Sequence, residues 1–203
     1  MRSIAQREDI RDLILDSVDV LLARYGYSKM TVEDIADQTG IGKGTIYLHF
    51  SSKEELVLSH IDRIIERLLY QLRRIATSKF PPEKKVKEML IARVVTRFEN
   101  VRNYSQSLND LLSAVRASLM TRRQIHFEQE AEVLTEALQE GIETGIFQIN
   151  NVKATADALI WATNSMLPYS LTPKELGRKK DIEDLVSRIA DLLIGGLNPK
   201  TKM

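Results

Sequence analysis

Apolar residues recur along this chain at the three- and four-residue spacing of amphipathic helices, and prolines and glycines divide it into segments. From about Asp9 to Tyr25 the positions Ile10, Leu13, Ile14, Val18 and Leu21 predict a helix that ends at Gly26. Two short helices are expected at Val32 to Thr39 and Lys43 to Phe50, then a long one from Lys53 toward Lys79, stopped by Pro81 and Pro82. Further helical stretches are predicted near Glu83 to Val101, Leu108 to Leu119, Gln124 to Gly145, Val152 to Leu167 and Ile182 to Leu197. Pro168 and Pro173 bracket the last long loop. No useful β-type alternation, repeat or low-complexity stretch interrupts this pattern, so the fold class is all-α. The expected organisation is a small three-helix domain over residues 1–52 and a larger helical domain over 53–203.

The segment from Thr31 to Phe50 carries the sharpest local signals. Thr31 and Asp34 form a capping-box pair, which starts a helix at Val32. Ile35 faces inward, and Ala36 is small where a second helix must pass close by. Gly40, four residues on, suits the left-handed backbone of a helix C-terminus. Ile41 inserts from the turn, and the next helix opens near Lys43 with Ile46 and Phe50 on its buried side. A small residue, a glycine four later and an apolar residue six after that satisfy the steric demands of a helix-turn-helix crossing. Ser51, Ser52, Glu54 and Glu55 then offer two overlapping capping boxes for the following helix.

With its run Lys43-Gly-Thr-Ile-Tyr-Leu-His-Phe50 followed by a Ser-Lys-Glu helix start, the segment from Thr31 to Leu58 resembles the DNA-binding motif of the TetR family of transcription regulators. The resemblance implies an N-terminal helix-turn-helix domain and a larger C-terminal domain for effector binding and dimerisation. It implies a homodimeric repressor that binds a palindromic double-stranded DNA operator and is released by a small-molecule effector. Carried over residue by residue, the helix from Lys43 to Phe50 is the recognition helix. Thr45 and Tyr47 match positions that touch phosphates or bases, and Lys43 and Gly44 lie at its start. Thr31 and Lys53 present two further helix starts to phosphate, a role that backbone N–H groups and hydroxyls perform well. For Tyr47, phosphate contact competes with packing on the first helix; for His49, packing is favoured. Two positions depart from the family pattern. Gly42 replaces a common serine cap, at a cost of only a few tenths of a kcal/mol. Leu48 stands where a polar or aromatic residue is common; it can meet a thymine methyl but cannot hydrogen-bond to a base.

Charge qualifies this picture. The chain has 203 residues, with 29 Lys and Arg against 28 Asp and Glu. Residues 1–60 hold seven basic and ten acidic side chains. A simple basic-domain argument for DNA binding therefore fails, and the case rests on where Lys43, Lys53 and the positive ends of the helices sit. The absence of cysteine excludes disulfides and Cys-based zinc sites. Charged residues near the N-terminus leave no room for a signal peptide, and no stretch approaches the ~18 apolar residues of a membrane span. A cytoplasmic protein without membrane contact is expected.

In the C-terminal part, Val86, Met89, Leu90 and Val101 share a helix face, with Arg93 and Arg97 in the middle of that apolar stripe. A buried arginine needs a glutamate of another helix, a route by which its chain snorkels to the surface, or an anionic group on a bound effector. All three alternatives stand at this point. Phe98, Tyr104, Leu108, Leu112, Phe127, Leu134, Trp161 and Asn164 complete the candidate effector pocket, which favours a largely apolar ligand. Ala154, Ala158 and Ala162 at spacing four, and the stripe Ile182, Leu185, Val186, Ile189, Leu192 and Leu193, are candidate dimer surfaces. Catalysis has little support. The three histidines His49, His60 and His126 lack a glutamate three residues before them, and although His126 and Glu130 share a helix face, the sequence offers no convincing further ligands for a metal site there. No nucleotide-binding loop or nucleophile elbow is present, and no cofactor is expected. A DNA-independent interaction protein is the remaining rival, supported only by the acidic N-terminal balance.

Overall fold

The computed structural model describes residues 2–171, 175 and 177–199, with the side chains of 2–8, 103 and 106 left aside. Pro173, one of the two expected loop brackets, lies outside the described residues. Among the described residues every regular element is helical: α1 (Arg2–Lys29), α2 (Val32–Thr39), α3 (Lys43–His49), α4 (Lys53–Ala76), α5 (Pro82–Val101), α6 (Leu108–Glu143), α7 (Val152–Ala162) and α8 (Lys179–Gly195). Short 3₁₀ turns fill Arg102–Ser107, Asn164–Met166 and Pro168–Ser170. None of these helices is long and apolar enough to cross a membrane.

The chain divides into two compact units. Of the described residues, those within 1–63 and 102–120 form the first, and those within 64–101 and 121–203 the second. In the first unit, α1 buries Ile14, Leu15, Val18, Leu21 and Leu22, an i, i+1, i+4, i+7, i+8 stripe. This face is rotated from the expected one: Leu13 is exposed, and Leu15 and Leu22 take its place because they continue the seam through Ile14 and Val18. The helix is broken at Gly26, whose φ of 70° is a left-handed value that glycine adopts without strain. A side chain there would also collide with Ser107, since a Cβ would lie 2.8 Å from the Ser107 Cβ. Arg63 of α4 ties α1 down through Asp16 at 2.8 Å and Asp12 at 3.3 Å. A second small cluster of Leu58, Val115 and Leu119, with Tyr27, Ile61 and Leu112 packed around it, completes this unit.

In the second unit, α5 packs along α8, and the ion pairs Lys87–Asp191 and Lys179–Glu99 flank that contact at 2.7 and 2.6 Å. Two sequence expectations are corrected here. The stretches Leu108 to Leu119 and Gln124 to Gly145 are one continuous helix, because Met120 to Arg123 contain neither proline nor glycine to end it. Conversely, the helix from Val152 stops at Ala162, not near Leu167; the Thr163 hydroxyl donates to the Leu159 and Ile160 carbonyls, and the chain tightens into 3₁₀ turns before Pro168. The α8 stripe is also split. Ile182, Val186, Ala190 and Ile194 are buried, whereas Leu185 and Leu192 stand exposed.

Candidate nucleic-acid interface and buried charge cluster

The helix pair α2–α3 is built by interactions local in sequence. The Asp34 N–H donates to Thr31 Oγ1 at 3.1 Å, and Asp34 Oδ2 accepts from the Thr31 N–H and hydroxyl, both at 2.7 Å. This closes the capping box, and these hydrogen bonds hold the Asp34 carboxyl below the usual carboxylate range, the side-chain bond most strongly. At the other end Gly40 adopts φ 70°, ψ 15°, and its N–H donates to the Ala36 carbonyl at 2.9 Å. The Thr39 hydroxyl donates to Ile35 O and accepts from the Ile41 N–H, which fixes the turn. Ile35 and Ile46 are both fully buried, so α3 is anchored by its inner face against α2. Gly42 caps α3 without a side-chain bond. Of the two overlapping serine caps ahead of α4, the described bond is from the Glu55 N–H to Ser52 Oγ, at 3.0 Å.

What α3 turns outward is the more informative face. Leu48 is 82% exposed and Tyr47 47% exposed, while Lys43 and Gly44 are open and Thr45 is half-buried. Thr31 is exposed at the start of α2. Lys43 Nζ bonds Glu33 Oε2 at 2.7 Å, which raises the lysine pKa, so part of the basic charge of this face is already neutralised from α2. Lys53 is half-buried, with Nζ 4.3 Å from the Tyr27 ring centroid, and desolvation lowers its pKa. His49 is half-buried beside Phe50. Glu33 and Tyr27 are partners that sequence reasoning missed, since neither lies within a turn of the lysine it engages.

The candidate effector residues divide between the units. Tyr104, Leu108 and Leu112 belong to the first. There Tyr104 is buried and its hydroxyl pKa is raised by desolvation, then by Asp19, while Leu112 packs on the Leu58 cluster. Met89, Arg93, Arg97, Phe98, Phe127, Leu134, Trp161 and Asn164 belong to the second, where Met89, Phe98, Phe127 and Leu134 are buried and Asn164 half-buried. Arg93 Nε donates to Glu130 Oε2 at 2.7 Å, and Arg97 is held by both Glu130 oxygens. The carboxylate partner of another helix is therefore present for both arginines. Glu130 is fully buried among Phe127, Ala131 and Leu134 on one face of α6. The reasoning that picked out two arginines in an apolar stripe would have picked out this glutamate as well. Trp161 is 57% exposed and meets the Phe127 ring edge-on at 5.5 Å. A surface hollow of about 560 Å³ along α6, lined by residues such as Ile125, Gln129, Glu132 and Lys153, includes none of the candidates. Among the described residues no group of three or more His, Asp or Glu is placed to hold a metal ion.

Residues 14–59, which span the whole α2–α3 pair, match the model of a family described as bacterial regulatory proteins, tetR family. Residues 14–59 are therefore a regulatory domain of the TetR-family type. Among relatives, the HTH-type transcriptional repressor KstR2 of Mycobacterium tuberculosis strain H37Rv is 29% identical over 154 residues, covering 72% of this chain and 74% of that protein. The fatty acid metabolism regulator protein of Bacillus subtilis is 26% identical over 196 residues, covering 92% and 95%. A transcriptional regulator from Cytophaga hutchinsonii shares the fold, with a TM-score of 0.75 at 22% identity and coverage of 93% and 98%. By these likenesses the protein is a DNA-binding transcriptional regulator.

Proposed function

We propose that this regulator acts in the cytoplasm as a homodimeric repressor that grips a palindromic operator with α3 and is released by a small-molecule effector. The observation that carries the reading is the two-faced character of α3. Ile46 is fully buried while Tyr47, Leu48 and Lys43 face solvent, the division that major-groove insertion requires. Thr31, Lys43, Gly44, Thr45, Tyr47, Leu48 and Lys53 are the proposed DNA contacts. On approach to phosphate, Lys43 exchanges Glu33 for the nucleic acid backbone. The proposed division of labour assigns residues 1–52 to DNA and 53–203 to effector and dimer.

Dimerisation is supported by surplus apolar surface. On α7, Ala154, Ala158 and Ala162 form an exposed small-residue face, and on α8, Leu185 and Leu192 are exposed beyond what the core uses. A two-fold dimer places two recognition helices in successive major grooves. The effector is an amphiphile, largely apolar, a class also suggested by the name of the fatty acid metabolism regulator. It acts by favouring a state whose recognition helices no longer match the operator, and α4, which runs from the first unit into the second, is the proposed transmitter. A ~100-fold loss of operator affinity needs a coupling free energy of about 2.7 kcal/mol. Selection of preferred sites from random duplexes tests the whole reading. Enriched sites should contain inverted half-sites about one helical turn apart or slightly more; failure to enrich any duplex sequence removes the assignment.

A further inference from the structure

Arg93, Arg97 and Glu130 put two cations and one anion into a single buried cluster, with Arg93 1% and Glu130 0% exposed. The cluster therefore carries one positive charge in excess. Glu130 is fully engaged: Oε2 accepts from Arg93 Nε and Arg97 Nη1, and Oε1 accepts from Arg97 Nη2. Arg93 Nη1 donates to Thr163 Oγ1 at 2.8 Å. Arg93 Nη2, although buried, has no acceptor. An uncompensated buried charge with an orphan donor is destabilising, and a methionine at position 93 would remove both faults. The arrangement calls for an anion.

The surroundings indicate what kind. The Arg93 guanidinium lies 4.7 Å from the Phe127 ring centroid, and Phe127 in turn meets the exposed Trp161. Arg123 sits 5.3 to 5.6 Å from the rings of Phe127, Tyr169 and Trp161. Tyr169 donates its hydroxyl to Asn164 Oδ1 at 2.5 Å, fixing one edge of this aromatic group. Aromatic surface thus links solvent to the buried cation.

We propose that Arg93 Nη2 receives the carboxylate of an amphipathic monoacid whose apolar tail lies along Phe127 and Trp161. This rests on the reading of the second unit as the effector-binding part, and it names the head group and its receptor atom. The charge balance selects the head. One carboxylate neutralises the cluster, whereas a phosphomonoester dianion would leave it negative. Desolvation lowers the Arg93 pKa to about 10, so the guanidinium is still a cation at neutral pH and ready to pair.

The test is titration calorimetry of the full-length protein with dodecanoate and with methyl dodecanoate, which has the same chain but no charge. The acid should bind roughly 10- to 100-fold more tightly than the ester, the usual worth of a charge-assisted hydrogen bond in a buried site. Arg93→Met should bring that ratio to about one while keeping the melting temperature, because Arg97 and Glu130 then form a neutral pair. Equal binding of acid and ester to the wild type, binding of neither, or an unchanged ratio in Arg93→Met overturns the proposal. Operator binding, measured by gel shift on the same preparations, separates the two readings. If the duplex is bound but acid and ester are not distinguished, the carboxylate site fails and the regulator reading survives. If the acid is preferred but no duplex is bound, the regulator reading fails and the site stands.

Discussion

The α2–α3 pair and the Arg93–Arg97–Glu130 cluster do opposite things with polar groups. The first is held together by bonds between residues three or four apart and spends its remaining side chains outward, on Tyr47, Leu48 and Lys43. The second gathers residues 33 to 70 positions apart and seals them from water. A surface that must meet a long, regular polyanion needs a rigid local frame and exposed contacts. A site that discriminates among small molecules, the role proposed for this cluster, needs enclosure, where charge and hydrogen bonding count for more.

Breaking the enclosed side should have the largest effect. Glu130→Gln leaves two buried guanidiniums without a carboxylate, and about 3–5 kcal/mol of stability should be lost in urea unfolding. Replacing Arg93 and Arg97 by Met together with Glu130 by Leu should recover most of it; a loss below about 1 kcal/mol in Glu130→Gln would mean that the cluster is hydrated. On the outward side, Gly40→Val forces a β-branched residue to φ 70° and should cost about 2 kcal/mol, read as a lowered melting temperature and lost operator binding together. Tyr47→Ala separates these two readouts. The ring is half exposed, so stability should hold while operator affinity falls by about 1.5 kcal/mol, roughly tenfold. The smallest effect concerns the capping box. The Asp34 pKa is depressed in the folded state, so its contribution is complete above the unfolded value near 4 and is lost as pH falls through the folded one. Wild type and Asp34→Asn should differ in stability at neutral pH and converge in acid; a constant gap would show that the carboxylate charge plays no part.

The same contrast explains what could be read from the chain. Thr31, Asp34, Gly40 and Ile46 announced α2 and α3 because each acts on a residue one turn away, and the observed helix limits follow them closely. The break at Gly26 and the all-helical pattern were equally local. The union of two stretches into α6 was not legible, since the apolar period is weak between Leu119 and Gln124 although nothing there forbids a helix. Periodicity exposed Arg93 and Arg97 as anomalies, but only the folded chain could bring Glu130 and Thr163 to them. For α8, the apolar stripe was visible; which part of it the core would leave uncovered was not, because that depends on where α5 lies.

The central claim, that the exposed face of α3 grips duplex DNA, is tested most directly by the salt dependence of binding to a selected duplex, for wild type and Lys43→Ala. The logarithm of the affinity should fall steeply and linearly with the logarithm of salt concentration, and Lys43→Ala should make that slope shallower by about one phosphate contact. A flat dependence, or the same slope with and without Lys43, would contradict the account.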